Sequence, residues 1–134
     1  MKFKDKGFLL NKNKYNENSA VAEFFTQNNG KVSGILFGAT SKKIKNFLLI
    51  GNQFSVEFNS KNQSKAGYFK VEIEKVFTPH YLENKIKLNC ILYSLNLIRI
   101  LTVENQANNK IYNQLTNLYD ILHHDDWIKK FIFW

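Results

Sequence analysis

The tetrapeptide His123-His124-Asp125-Asp126 is the densest group of side chains in the sequence that could bind a metal. Neighbouring residues on a helix point about 100° apart, so they rarely share one ion. A helix end followed by a helix start explains the four residues better, because the imidazoles would face a negative helix terminus and the carboxylates a positive one. We therefore predict no metal site.

Groups that could support catalysis are sparse elsewhere. Cys90 lies inside an apolar segment and is expected to be a small packed residue, and His80 follows Pro79 in an expected linker. Gly34 and Gly38 do not complete a phosphate-binding glycine pattern. Because a nucleophile, a base and a stabilising group cannot be assembled, we predict a non-enzymatic protein without a cofactor.

Lysines interleaved with aromatic residues are the remaining signal, since single-strand-binding barrels combine a cationic groove with aromatic stacking. Lysine is a point charge without the bidentate base readout of arginine, so backbone contact with little sequence preference is expected. A solvated face for the lysines and core packing for the aromatic rings are the alternatives. The candidate DNA-binding residues are Lys12, Lys14, Lys31, Lys42, Lys43, Lys45, Lys61 and Lys65, and the candidate stacking residues are Phe37, Phe47 and Tyr68.

Five short segments before Pro79 carry apolar residues at every second position, which is typical of strands. Asn29-Gly30 favours a tight hairpin between the second and third strands. Closure removes exposed strand edges, so we predict a five-stranded antiparallel β-barrel of the oligonucleotide-binding (OB) type over residues 1–79. The strands are expected at 6–15, 19–26, 31–37, 53–59 and 67–76, the last with Phe69, Val71 and Ile73 facing inward.

After Pro79 the apolar spacing becomes helical, and we predict an all-α second domain over residues 80–134. The apolar segment 88–103 is short of the ~20 residues that a membrane span needs, and it contains Arg99, so we expect a buried helix. The chain stops on the apolar run Phe-Ile-Phe-Trp, so the helical region is expected to be incomplete. Two further helices are expected after caps at Asn108 or Asn109 and at Asp125 or Asp126.

The net charge is +8, from 19 basic and 11 acidic residues, and residues 1–79 account for +7 of it. This excess favours a polyanionic partner, although 18 lysines against one arginine also fit a coding bias. One cysteine excludes a disulfide framework, and the charged N-terminus does not read as an export signal. We therefore expect a cytoplasmic protein with no membrane segment.

The order of several short motifs resembles the N-terminal part of the bacterial recombination mediator family RecO. This chain has a counterpart of each of four family motifs: the strand start, the acidic-x-Ser element, the Phe-Thr…Gly-Lys hairpin, and Gly-Ala followed by basic residues. An Asp-Trp helix start follows later in the chain. The matching segments are Asp5 to Gly7, Glu17-Asn18-Ser19, Phe25 to Lys31, Gly38 to Lys43, and Asp126-Trp127.

The resemblance implies a DNA-binding protein of the RecF recombination-repair pathway, with an OB barrel followed by a helical domain. It further implies binding of single- and double-stranded DNA, strand annealing, and recombinase loading with RecR and single-stranded-DNA-binding protein as partners. By position, the DNA contacts would be Lys31, Lys42, Lys43 and Lys45. Relatives often have arginine where this chain has lysine, which would alter individual contacts.

Two other functions remain open at the level of sequence. In the first, the barrel is structural and the apolar helices bind a protein partner. In the second, the barrel is an OB module that binds RNA. A preference for RNA over DNA of the same sequence would distinguish the latter.

Overall fold

The computed structural model describes residues 1–61 and 66–134. Five strands come first, and the second and fourth have the bounds predicted from sequence, whereas the first begins four residues earlier than expected. The strands are β1 (Lys2–Asn16), β2 (Ser19–Thr26), β3 (Gly30–Phe37), β4 (Gln53–Asn59) and β5 (Tyr68–Lys75).

The strands form a closed barrel in the order β1-β2-β3-β5-β4. Four of the five neighbouring pairs are antiparallel, but β3 and β5 run parallel, with Ile35 opposite Tyr68. The prediction of an all-antiparallel barrel is therefore wrong, and the sheet is mixed. The reason is geometric: strand directions cannot alternate all the way round a ring with an odd number of strands, so one pair must be parallel.

Two glycines allow the parallel strands to meet. The amide of Ile35 donates to the carbonyl oxygen of Gly67 at 2.9 Å. A Cβ added to Gly34 would lie 2.9 Å from that same oxygen, closer than real Cβ contacts come. Glycine at position 34 is therefore a requirement of barrel closure.

The barrel interior is filled by apolar side chains, and four of them are phenylalanines. Phe24 meets Phe54 and Phe69 edge to face, with ring centroids 5.6 and 4.9 Å away. The predicted inward positions Phe69 and Val71 are buried, but Ile73 is 38% exposed, so its expected place in the core is wrong. The parallel pairing with β3 involves only Tyr68 and Phe69, so the later part of β5 lacks this neighbour.

A single 3-10 turn, Thr78–Tyr81, leads into the helices α1 (Lys85–Leu101), α2 (Asn109–Leu122) and α3 (Trp127–Ile132). The side chain of Asn108 accepts from the Ile111 amide at 3.1 Å, which confirms the predicted cap of α2 at Asn108. Asp126 occupies the predicted position before α3, but its side chain makes no capping hydrogen bond to the helix. Its carboxylate lies 3.7 Å from the Lys130 ammonium instead. No helix within residues 1–61 and 66–134 is long and apolar enough to cross a membrane.

Helices α1 and α2 pack against one side of the barrel in a second apolar cluster. Tyr119 of α2 is buried between Phe8 and Phe77, with ring centroids 5.5 and 4.1 Å away, and its hydroxyl donates to the Gly51 carbonyl at 2.7 Å. This contact joins α2 to the segment just before β4. The division into domains at residue 79 stays a prediction.

Candidate nucleic-acid interface

The connection between β3 and β4, residues 38–52, places a group of lysines outside the barrel. Ala39 and Leu48 are buried in the barrel core, and Ile44 packs against it. Because these apolar residues face inward, the lysines between them, Lys42, Lys43 and Lys45, are exposed. Lys42 and Lys43 therefore lie on the surface, where the phosphate backbone of a nucleic acid could reach them.

The connection is held in place by the buried side chain of Asn52. Its amide nitrogen donates to the Phe47 carbonyl at 2.9 Å, and its amide oxygen accepts from the backbone amides of Phe77 and Thr78 at 2.9 and 3.0 Å. One side chain thus links the lysine-bearing connection to the end of the barrel where the helices begin.

A cleft of about 380 Å³ opens between the connection and the ends of β1 and β2, and three of the predicted lysines line it: Lys12, Lys14 and Lys45. Lys12 and Lys14 lie opposite Ala22 and Ala20 on β2. This register places both lysines on the side of the strand that faces the barrel interior, at its open end. The Lys12 ammonium donates to the Leu48 carbonyl oxygen.

Hydrogen bonds fasten the walls of this cleft to each other. The Ala39 amide donates to the Asn18 carbonyl at 3.0 Å, and the Thr40 hydroxyl donates to the Asn18 side chain at 3.2 Å. The Asn18 amide in turn donates to the Asn16 side chain at 3.0 Å. The β1–β2 turn is therefore joined to the connection, and the bond from Lys12 joins strand β1 to the connection at Leu48.

Two of the three candidate stacking residues meet on the outer face of the barrel. Phe37 is 56% exposed, and its ring lies 6.0 Å from that of the half-buried Tyr68, across the β3–β5 junction. Val21 and Ile35 are paired on the same face. Phe47 is exposed but belongs to the connection, on a different element. Phe37 and Tyr68 thus offer a small aromatic surface on the outside of the barrel.

The family model described as the N-terminal part of recombination protein O matches residues 1–77, more than half of the chain. The chain belongs to the RecO family. The resemblance read from the sequence motifs is therefore confirmed.

Curated relatives carry the same family name. The chain is 32% identical to the DNA repair protein RecO of Ehrlichia chaffeensis over 115 residues, which are 86% of this chain and 46% of that protein. It is 30% identical to the DNA repair protein RecO of Rickettsia rickettsii over 122 residues, 91% of this chain and 51% of that protein. The chain thus spans about half the length of the curated relatives it matches.

Lys31, which belongs to the Gly-Lys hairpin of the RecO resemblance, does not join the other lysines. It is 8% exposed, and its ammonium donates to the carbonyl oxygens of Arg99 and Thr102 at 2.7 and 2.8 Å, at the C-terminal end of α1. A DNA contact at Lys31 is not supported, because its ammonium is buried and bonded to two carbonyls at the end of the helix. Lys12 differs, because it bonds one carbonyl and is exposed.

One further predicted lysine, Lys61, does not line the cleft. Lys61 is exposed after β4, and Lys65 lies outside the described residues. In the described parts of the RecO-family chain, no three histidine, cysteine, aspartate or glutamate side chains form a group that could hold a metal ion.

Sequence reasoning missed the polar residues that shape the cleft, above all Asn18 and Thr40. Both lie within motifs of the RecO resemblance, and both are residue types that commonly form local side-chain hydrogen bonds. Their mutual bond, however, joins positions 22 residues apart, which local sequence patterns do not reveal.

Proposed function

We propose that this part of a RecO-family protein binds DNA through its phosphate backbone, in DNA repair and recombination, without chemistry of its own. The observation that carries the proposal is the convergence of Lys12, Lys14 and Lys45 on one cleft, beside the exposed Lys42 and Lys43. Ammonium groups at phosphates release condensed counterions, which makes affinity strongly dependent on salt.

The wider role follows the family. We propose that the whole protein binds single- and double-stranded DNA, anneals strands, and acts in the RecF pathway with RecR and single-stranded-DNA-binding protein. The curated relatives named DNA repair protein RecO support the repair role. The cytoplasmic location expected from the sequence stays a prediction.

The test is a salt titration of binding to a fluorescent single strand. We expect the variant Lys42→Glu/Lys43→Glu/Lys45→Glu to lose at least about ten-fold in affinity, and its log–log salt slope to fall by about 2, since each single-strand phosphate contact contributes about 0.7. The matched control reverses three exposed lysines elsewhere, Lys70, Lys110 and Lys129. If both triple variants lose affinity and slope equally, the charge acts globally and the assigned interface is wrong.

A second candidate function, protein binding by the helices, is favoured by the outer face of α1. Ile86, Tyr93, Leu97 and Ile100 are between 39% and 67% exposed and recur with coiled-coil-like spacing. The opposite face, with Ile91, Leu95 and Ile98, is buried. If the chain ignores oligonucleotides but forms a stoichiometric complex with RecR, this second function replaces the first.

A further inference from the structure

The cleft between the β1–β2 turn and the β3–β4 connection differs in charge from two other clefts on the barrel. Its charged lining residues are three lysines against one acid, Glu17. A cleft across β4 and β5 has two lysines and two glutamates, and the groove beside α2 has two lysines and Asp120. The first cleft is therefore the most cationic of these three.

The lining of this cleft offers groups that suit the phosphate and the base of a nucleotide. Its ammonium groups suit a phosphate, and the amides and hydroxyls of Asn13, Asn16, Ser19 and Thr40 could hydrogen-bond the edge of a base. Its apolar floor consists of Ala20, Ala39 and Leu48, which are between 3% and 8% exposed. A flat base face suits such a floor, because small apolar side chains let a ring approach closely.

The size of the cleft limits what it can accept. Its volume of about 380 Å³ lies near the lower end of the ~300–1,000 Å³ found for small-molecule sites. A single nucleotide unit fits this scale, whereas a base pair inside a duplex cannot enter without being unpaired.

The cleft is also formed before any ligand arrives. The bonds of Asn18 to Ala39 and Thr40 hold the β1–β2 turn to the connection, and the bond of Lys12 to Leu48 holds β1 to it. A fixed site loses less conformational entropy on binding than a mobile loop does.

We propose that this cleft seats one unpaired nucleotide of a DNA strand, so that single strands bind more tightly than duplexes. The inference rests on the proposed DNA-binding function and adds to it a site that distinguishes the two forms. Surface lysines contact the phosphates of either form, but only an unpaired nucleotide enters the cleft without the unpairing cost of a few kcal/mol.

The experiment compares binding of an oligothymidine strand, a blunt-ended duplex and free thymidine monophosphate. The variant Thr40→Trp fills the cleft from its exposed wall without changing charge. The control Asn117→Trp adds the same side chain at an exposed position of α2 that does not line the cleft. Thermal unfolding of each variant confirms that it is folded.

We expect the wild-type protein and Asn117→Trp to bind the strand at least about ten-fold more tightly than the duplex. In Thr40→Trp, strand affinity should fall to the level of the duplex while duplex affinity is unchanged. If Thr40→Trp keeps the strand preference, or if the wild type shows none, the cleft proposal is overturned while DNA binding by surface lysines stands.

Two other outcomes also overturn it. If free thymidine monophosphate displaces the strand at a concentration equal to that of the strand, the cleft is a site for free nucleotides and not for a DNA strand. Absence of binding to both strand and duplex would overturn the proposed DNA-binding function itself.

Discussion

The two ends of strand β3 are built from the same residue types and serve opposite purposes. Gly30 begins the strand and Gly38 follows it, each with φ of +72°, and lysines come soon after both. At the first end, Lys31 is buried against α1. At the second end, Lys42 and Lys43 face outward beside an open cleft. The neighbours, and not the local motif, decide whether a lysine stabilises the fold or is available to a ligand.

The first and largest test of this comparison replaces each glycine by alanine. At Gly30 an added Cβ would fall on the backbone carbonyl of Gln106, whereas at Gly38 it would meet nothing within 4 Å. Both alanines are strained by about 1–2 kcal/mol from the positive φ alone. We therefore expect Gly30→Ala to lose about 4 kcal/mol of unfolding free energy in urea, and Gly38→Ala only the strain. Equal losses of unfolding free energy in the two variants would show that both ends of β3 are packed equally closely.

The second test removes the ammonium of Lys31. In Lys31→Met the carbonyls of Arg99 and Thr102 lose a charged donor, and an unfolding free energy lower by about 3 kcal/mol is expected. Lys42→Met, the matched change at the open end, should alter stability by less than about 0.5 kcal/mol. The affinity of folded Lys31→Met for single-stranded DNA should equal that of the wild type. A large loss of affinity would show that Lys31 contacts the DNA.

The third test uses pH, because the helix side of the barrel contains buried tyrosines and the barrel interior does not. Burial raises the pKa of Tyr112 to about 12. The unfolded chain loses this proton from about pH 10, so the stability that the neutral phenol contributes is intact below pH 10 and is lost as pH rises towards 12.

The test for this loss of stability is the difference in unfolding free energy between the wild type and Tyr112→Phe, measured at several pH values. In the Phe variant the side-chain amide of Gln53 loses its hydrogen bond to the Tyr112 hydroxyl, which is 2.8 Å long in the wild type. This loss lowers the unfolding free energy by about 1 kcal/mol at neutral pH. The advantage of the wild type should shrink by about 1 kcal/mol between about pH 10 and about pH 11. A difference that stays constant with pH would contradict the expectation.

The last test concerns the aromatic surface that Phe37 and Tyr68 form on the outside of the barrel. Stacking of one base contributes about 1–3 kcal/mol, so Phe37→Ala should weaken single-strand binding about five-fold or more. Phe133, which is 90% exposed near the end of the helical region, provides the control Phe133→Ala. Equal effects of the two variants on affinity would remove Phe37 from the interface.

Most of the element pattern could be predicted from sequence. The bounds of β2 and β4 follow from strict alternation, as in Phe54, Val56 and Phe58, which are all buried. The parallel pairing of β3 with β5 could not be read from this pattern, because alternation reports which face a residue takes and not the direction of the neighbouring strand. Ile73 was misplaced for the same reason, since its exposure depends on where β3 ends.

The candidate site was predictable only in part. Lys12, Lys14 and Lys45 share a cleft as members of the predicted lysine set, and Phe37 and Tyr68 meet as members of the predicted aromatic set. The cleft itself depends on the bond between Asn18 and Thr40 and on the insertion of Leu48 into the barrel. These contacts join distant segments, so they appear only when the barrel has closed.

By itself, the sequence determined the strands, the helices, the excess of lysine in the first 79 residues and membership of the RecO family, because alternation, capping residues and motif order are local properties. Only the tertiary structure decided which lysines are available to a ligand. Burial and the backbone carbonyls that folding brings to an ammonium group together decide whether it is available. For Lys31 these carbonyls come from residues 68 and 71 positions further along the chain.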